Sequence, residues 1–321
     1  MSKYLVTGGA GFIGSHLVER LIADGHDVTV LDDFSTGRFD NIAHLEGRQL
    51  RVAEGDVRQT KHVEKAMAGA QFVLHHAALP SVARSVGDPG AANAVNVDGT
   101  LNVLLAAREA KTVRRVVYAS SSSVYGDSPT LPKTETMAPQ PMSPYAVSKL
   151  AGEHYCRVFF LNYGLESIAL RYFNVFGPRQ DPDSDYSAVV PKFVTTLLDK
   201  KRPVVYGDGK QTRDFTYVEN VVEANVAACA APKAPGETVN IACGDRVTIA
   251  GLANMIGEIA GHVVEPKLKP ARAADVRHSL ADITKAQDTI GYRVRVNLQE
   301  GLERTVEYYR GRGRKKGRSN Q

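Results

Sequence analysis

Two side chains set four residues apart carry the chemistry this 321-residue sequence offers most directly: Tyr145 and Lys149 in SPYAVSK. On a helix the two share one face. A phenol has an ordinary pKa of roughly 10 and is a poor base at neutral pH, whereas a neighbouring ammonium favours the phenolate. The pair therefore reads as a general base with its activator. The same spacing occurs on many helices as a surface tyrosine beside a solvated lysine, so its place in the chain matters. It follows ASSSSVYGD, where Ser120, Ser121, Ser122 and Ser123 stand at the carboxyl end of a predicted strand, the place where parallel α/β sheets hold ligands.

A second constellation lies at the amino terminus. Strand residues Tyr4 to Thr7 run into GGAGFIG, which sets Gly8, Gly11 and Gly14 in a G-x-x-G-x-x-G array before an amphipathic helix. Such glycines permit a tight turn and close backbone approach, while the helix start offers unpaired amides, here those of Phe12 and Ile13, to a pyrophosphate. The next strand, DVTVL, ends in Asp32 and Asp33. A carboxylate there can accept both ribose hydroxyls of a dinucleotide and would repel a further phosphate, which favours NAD over NADP. A turn-capping aspartate is compatible with this role. Ser35 and Gly37 lie in the loop that follows. Asp56, followed by Val57, either contacts adenine or serves only as a turn residue. Ala77 and Ala78 are expected to meet the cofactor through backbone, and Asn96, Tyr145, Lys149 and Tyr172 complete the predicted cofactor set. His75 and His76 are adjacent on a strand, point to opposite faces and cannot easily chelate one ion, so no metal is expected.

These residues need a scaffold. Apolar runs recur at KYLVT, DVTVL, LRVAE, FVLHH, RRVVYAS and SIALRY, separated by segments of helical apolar spacing such as Ile13, Leu17, Leu21 and Val95, Leu101, Leu104, Leu105. The alternation implies an α/β fold, a Rossmann-type, doubly wound parallel sheet, with a smaller carboxyl-terminal substrate-binding lobe. We expect a cofactor domain over 1–175, with a return of about 215–242 to it, and a substrate lobe mainly over 176–309. Residues 310–321 form a basic tail expected to be disordered. That tail carries six positive charges against a formal net charge of +5, leaving the body near −1. Nucleic-acid binding is not expected from it. Cys156, Cys229 and Cys243 are too scattered for a disulfide framework or a metal site. No leader pattern opens the chain and no apolar run approaches a membrane span, so a soluble, cytoplasmic protein is expected.

The combination of TGGAGFIG, SSSSVYGD, SPYAVSK and LRYFNVFGPRQ resembles the extended short-chain dehydrogenase/reductases, and among them the UDP-hexose 4-epimerases, over nearly the whole chain except the tail. The resemblance implies that Ser121 is the catalytic hydroxyl sharing a proton with Tyr145, and that NAD takes and returns a hydride at carbon 4 of a UDP-sugar. It also implies that the acidic residues of the sister dehydratases and decarboxylases are replaced here by Ser122 and Ser123. UDP-sugar contacts fall by resemblance on Ser81, Ser121, Ser122, Asn174, Ala188, Val189, Lys192, Tyr206, Arg213, Arg272, Asp275 and Ser279. A small residue at Ser279 implies room for an N-acetyl group. Pro80 departs from the polar or glycine residue expected near the sugar. Helices around 93–110 and 145–163 are implied to form a four-helix homodimer interface, while their apolar stripes serve equally well as intrachain core. A dehydratase, reductase or uronate epimerase on the same scaffold, or a non-catalytic NAD-binding protein, is the alternative.

Overall fold

The structure, a computed structural model, describes residues 1–182, 188–271 and 276–318, with side chains as far as Arg312. The six apolar runs become β1 (Lys3–Thr7), β2 (Asp27–Asp32), β3 (Leu50–Glu54), β4 (Phe72–His75), β5 (Arg115–Ser121) and β6 (Ser167–Tyr172). Four short strands follow: β7 (Val175–Phe176), β8 (Val204–Tyr206), β9 (Thr212–Arg213) and β10 (Thr216–Tyr217). Next come β11 (Thr238–Ile241), β12 (Val247–Thr248) and β13 (Lys267–Lys269). β11 returns to the main sheet beside β6, giving seven strands in the order β11-β6-β5-β4-β1-β2-β3. Each adjacent pair in this sheet is parallel.

The helices are α1 (Phe12–Ala23), α2 (Thr60–Met67), α3 (Val82–Gly87), α4 (Pro89–Asn93), α5 (Gly99–Glu109) and α6 (Pro144–Tyr163). After them come α7 (Val189–Leu198), α8 (Val218–Ala230), α9 (Ile249–Ala260), α10 (Thr284–Ile290) and α11 (Leu298–Arg318). Successive strand residues point to opposite faces, and the core divides accordingly. Val6, Val30, Leu74, Val117 and Leu170 pack with Leu17 and Leu21 of α1 and Val221 and Ala228 of α8. Leu5, Leu31, Val73, Val116 and Ala169 pack with Val63 of α2, Val103 of α5 and Phe159 of α6. Sheet residues buried on both sides are what an all-parallel sheet demands.

A third core belongs to the lobe. Phe193, Val194 and Leu197 of α7, Leu252 and Ile256 of α9, and Leu302 and Val306 of α11 close around Phe215 and Val205. α11 continues as helix to Arg318, through most of the segment expected to be disordered. Its preceding turns carry reinforcing ion pairs, Arg304 with Glu300 and with Glu219. No described helix is long and apolar enough to cross a membrane.

Strand order reverses between β1 and β4, because the chain moves outward from β1 to β2 and β3 and then crosses back. A crevice opens at the carboxyl ends of strands where order reverses in this way. The glycine array, His76 and the end of β5 all lie there.

Candidate active site

The turn after β1 is tight enough to demand glycine. Gly8 has φ of 68°, and a Cβ there would come within 2.7 Å of the Ala77 backbone nitrogen. A Cβ on Gly14 would lie 2.1 Å from the Gly8 carbonyl oxygen. Gly11 is the N-cap of α1, so the amides of Phe12 and Ile13 open the helix with no acceptor inside it. Bare backbone and a helix start together make a cradle for a pyrophosphate.

Asp32 joins this cradle to the loop beside it. It is 6% exposed and accepts hydrogen bonds from the amides of Ala10 (2.8 Å) and Phe34 (2.9 Å). Burial pushes its carboxyl above the ordinary value, and those two bonds oppose the rise. A Cβ on Gly37 would stand 2.7 Å from Asp32 Oδ1, so the loop passes close to the carboxylate. Exposed Asp33 instead accepts from the Ser35 amide (3.0 Å) and hydroxyl (2.7 Å). Asp56 is paired with Arg58 at 2.5 Å, and that bond holds its carboxyl below the usual range. The Val57 carbonyl accepts from Asn102 (3.0 Å).

At the end of β4 the Ala77 amide donates to Thr7 Oγ1 (3.2 Å), and Ala78 follows directly. His75 sits between Thr7 (2.7 Å) and Thr100 (2.9 Å). Thr100 gives its own proton to the Asn96 carbonyl (2.6 Å), so His75 Nε2 must be the donor and Nδ1 the acceptor. His76 faces the other way, toward Tyr172 (3.2 Å). Burial pushes both imidazoles down to about 3, leaving them neutral. The Tyr172 hydroxyl is engaged inside the core by Asn225. Asn96 lies in a π-helical turn, Ala94–Asp98, with its amide committed to Leu79 N–H (2.8 Å), Leu79 C=O (3.3 Å) and Ser148 Oγ (3.0 Å). It thereby fastens the segment after β4 to α6, one turn from Tyr145.

α6 begins at a side-chain cap. Ser143 caps it by accepting the Ala146 amide (3.1 Å), Pro144 occupies its first position, and the Tyr145 amide donates to Ser85 Oγ of α3 (3.0 Å). Ser121 ends β5, accepts the Ser123 amide (3.2 Å) and hydrogen-bonds the Tyr145 phenol. Lys149 Nζ donates to the Ala119 carbonyl (2.8 Å) and stands 5.9 Å from the Tyr145 ring centroid. Tyr145, Ser121 and Lys149 are therefore brought together, as their sequence positions imply.

Burial enters their electrostatics beside the charge pairing that the sequence suggests. Burial, the larger effect, pushes the Tyr145 phenol above its ordinary value, and the Ser121 hydrogen bond only partly offsets this. Burial also lowers Lys149 to about 8. The lysine does not draw the phenol down because its ammonium is held by the Ala119 carbonyl and by the Tyr118 ring, 5.2 Å away, in a dry setting that disfavours both charged forms.

Across the cleft, Asn174 (φ 32°) donates to the Asp214 carbonyl (2.9 Å) and reaches Ser279 Oγ at 3.5 Å. Ser279 is buried, and its amide donates to the Thr212 carbonyl (3.1 Å). Arg213 donates to the carbonyls of Thr212 (2.9 Å) and Arg277 (3.2 Å). Asn174, Val189, Tyr206 and Arg213 line one cavity of about 180 Å³ together with Phe193, Val204, Val205, Gln211 and Ile249. Ala188 is the N-cap of α7 at its edge, and Lys192 lies on the same helix outside the lining. Ser81 caps α3 by accepting the Arg84 amide (3.3 Å), in a strained backbone with φ of 103° just after Pro80. Ser122 begins the 3-10 turn Ser122–Tyr125. Arg272 and Asp275 lie outside the described residues.

The family model for the NAD dependent epimerase/dehydratase family matches residues 4–242. The chain belongs to that family. Its cofactor is NAD. Similarity extends beyond the matched segment: the chain is 40% identical to a UDP-glucose 4-epimerase of Mycolicibacterium smegmatis, over 97% of this chain and 99% of that one. Among solved structures it resembles a UDP-N-acetylglucosamine 4-epimerase from Methanobrevibacter ruminantium in complex with UDP-N-acetylmuramic acid (38% identity, TM-score 0.93, covering 97% and 99%). It also resembles the UDP-glucose 4-epimerase of Thermus thermophilus complexed with NAD (37% identity, TM-score 0.87, covering 96% and 99%). These are enzymes of UDP-sugar epimerisation, and the structural likeness to them covers 96% or more of this chain.

Sequence reasoning passed over several residues of the cleft. Ser85 holds the Tyr145 amide. Asp214, fully buried, accepts the amides of Cys243 (2.9 Å), Gly244 (3.1 Å) and Ala281 (3.2 Å), and burial pushes its carboxyl up to about 7. Its place beside Arg213 in TRDFTY was the available signal. Gln211, Phe193 and Ile249 of the cavity carry no signal in isolation, because three separate segments bring them together.

Proposed function

We propose that this chain is a UDP-hexose 4-epimerase interconverting UDP-GlcNAc with UDP-GalNAc and/or UDP-glucose with UDP-galactose through a transient 4-keto sugar. The observation that carries the reading is the junction of β5 with α6. There Ser121 hydrogen-bonds Tyr145 beside Lys149, and the next two positions hold hydroxyls instead of carboxylates.

Tyr145 accepts the proton of the sugar's 4-hydroxyl as the phenolate, a form that the positive charge of oxidised NAD would favour against the opposing burial, and Ser121 holds that oxygen while the proton moves. NAD, when bound, supplies reversible hydride acceptance at carbon 4. Tyr145 then gives its proton back to the oxygen of the inverted centre. A dehydratase needs a base for the carbon 5 proton and an acid for the leaving oxygen. Ser122 and Ser123 offer neither at neutral pH, so chemistry stops at carbon 4.

The cavity of Asn174, Val189, Tyr206 and Arg213, with Ala188 and Lys192, is the proposed nucleotide site. Arg213 and Arg272 are assigned to the diphosphate, which a planar guanidinium can grip bidentately. Asp275 and the sugar-side residues Ser81 and Ser122 complete the set, and the small buried Ser279 leaves room for an acetamido group. We read the enzyme as a cytoplasmic homodimer. Exposed Val147, Val158 and Leu161 fall on one face of α6 and support that assembly.

Incubation with each of the four UDP-hexoses, with NMR identification of products, tests the reading. Interconversion of 4-epimers without consumption of added NADH is expected. Accumulation of a keto-deoxy sugar would make the protein a dehydratase instead.

A further inference from the structure

A charged pair lies in the core directly behind the catalytic turn. Glu153 follows Lys149 by one helical turn on α6, and Arg171 is on β6; each side chain is 5% exposed. Arg171 donates to Glu153 through Nε (2.9 Å) and Nη2 (2.7 Å). Burying such a pair carries a desolvation cost, and apolar residues of like size commonly serve stability as well. Its contacts point to a different use.

Register explains them. Ser120 of β5, Arg171 of β6 and Asn240 of β11 are direct partners across the three strands. Ser120 Oγ donates to Glu153. The Arg171 guanidinium lies 4.7 Å from the centroid of the Tyr125 ring, and the Tyr125 hydroxyl donates to Asn240 Oδ1 (2.7 Å). Ser120 immediately precedes Ser121, and Tyr125 ends the 3-10 turn that Ser121 caps. The segment from 120 to 125 is therefore tied at both ends to one buried polar row, with Ser121 between the ties.

We propose that the Ser120–Arg171–Asn240 row, keyed by Glu153, is a positioning device that fixes the Ser121 hydroxyl against Tyr145. This rests on the catalytic roles given to those two residues. Ser120, Glu153, Arg171 and Tyr125 touch neither substrate nor cofactor; they act through Ser121. The ionisable and charged groups around the Tyr145–Lys149 face are Glu153 and Cys156 on α6 itself, Tyr118 from β5, His75 and His76 from β4, and Arg171 from β6. Of the contacts made to the Tyr145 phenol in this surround, the one from Ser121 depends on where the 120–125 segment stands.

The test is a double-mutant cycle on the NAD-loaded enzyme, with Ser120→Ala and Tyr125→Phe each made in the native and in the Ser121→Ala background. In the native background each is expected to lower kcat about tenfold with KM unchanged, and to have less than about twofold effect once Ser121 has lost its hydroxyl. Equal losses in both backgrounds, or a change in KM alone, would reduce the row to general stability and overturn the proposal. A second readout needs no turnover: the pH midpoint of Tyr145 ionisation, from ultraviolet difference spectra against Tyr145→Phe. Ser120→Ala should raise that midpoint as Ser121→Ala does, with no further rise in the combined variant; an unmoved midpoint refutes the device. An enzyme inert toward all four UDP-hexoses but showing this shift would sink the epimerase reading and leave the device standing.

Discussion

The two walls of the cleft are built differently. On the sheet side, Tyr145, Lys149 and Ser121 stand on a long helix and a central strand, and the polar groups behind them are locked by strand register: Thr7 opposite His75, which Thr100 of α5 also holds, and the row of Ser120, Arg171 and Asn240. On the lobe side, Asn174, Arg213 and Ser279 lie on two-residue strands and connecting segments, held by backbone carbonyls and by the amides that Asp214 gathers. A reaction that tolerates little displacement is placed on register, and recognition is left to segments that sequence change can reshape. The lobe should therefore control which sugar enters, and the sheet side whether it reacts.

The sharpest way to break this contrast is at the phenol. Tyr145→Phe should cut kcat by about 10³-fold or more while UDP-sugar affinity, read by calorimetry, stays within a few-fold of the parent. Lost affinity would mean that the two walls are not separable. On the lobe side, Arg213→Ala should raise KM by about tenfold or more with kcat little changed, if Arg213 makes the charge-assisted bonds to the diphosphate proposed for it. A fall confined to kcat would contradict the division.

Ser279→Tyr sharpens the comparison within the lobe. It should depress kcat/KM for the acetylated pair by about tenfold relative to the plain hexoses, because a pocket discriminates by the groups it excludes. Equal losses on both pairs would refute the pocket argument.

The smallest expected effect concerns Lys149. Burial lowers it from 10.5 to about 8, so the folded chain releases this proton earlier than the unfolded one. Within that window the unfolded state binds more protons, and this group's contribution to stability rises with pH. The ammonium needed for activity is lost over the same range. Lys149→Met should flatten the rise in melting temperature between about pH 8 and 10 relative to the native chain; an unchanged slope would put the lysine in a wetter setting than the structure gives it.

What the sequence disclosed follows the same division. The glycine turn was legible because close approach leaves only one residue type, and Gly14 against the Gly8 carbonyl shows why. Tyr145 and Lys149 were legible because helical spacing alone puts them together. The Ser120–Arg171–Asn240 row was not, since it exists only through the register of three strands distant in sequence. Asp32 was legible as a candidate ribose ligand from its place at the end of β2, but its hold on the Ala10 and Phe34 amides depends on a loop path that composition does not encode. The burial that raises the Tyr145 phenol was not legible, because it comes from packing of segments distant in sequence around the start of α6.

The central claim is redox inversion at carbon 4 with no proton abstraction at carbon 5. Turnover of a UDP-hexose in deuterium oxide, followed by NMR of the product, tests it most directly. The account expects the 4-epimer with hydrogen, not deuterium, at both carbons. Deuterium at carbon 5, or no inversion at carbon 4, would contradict it.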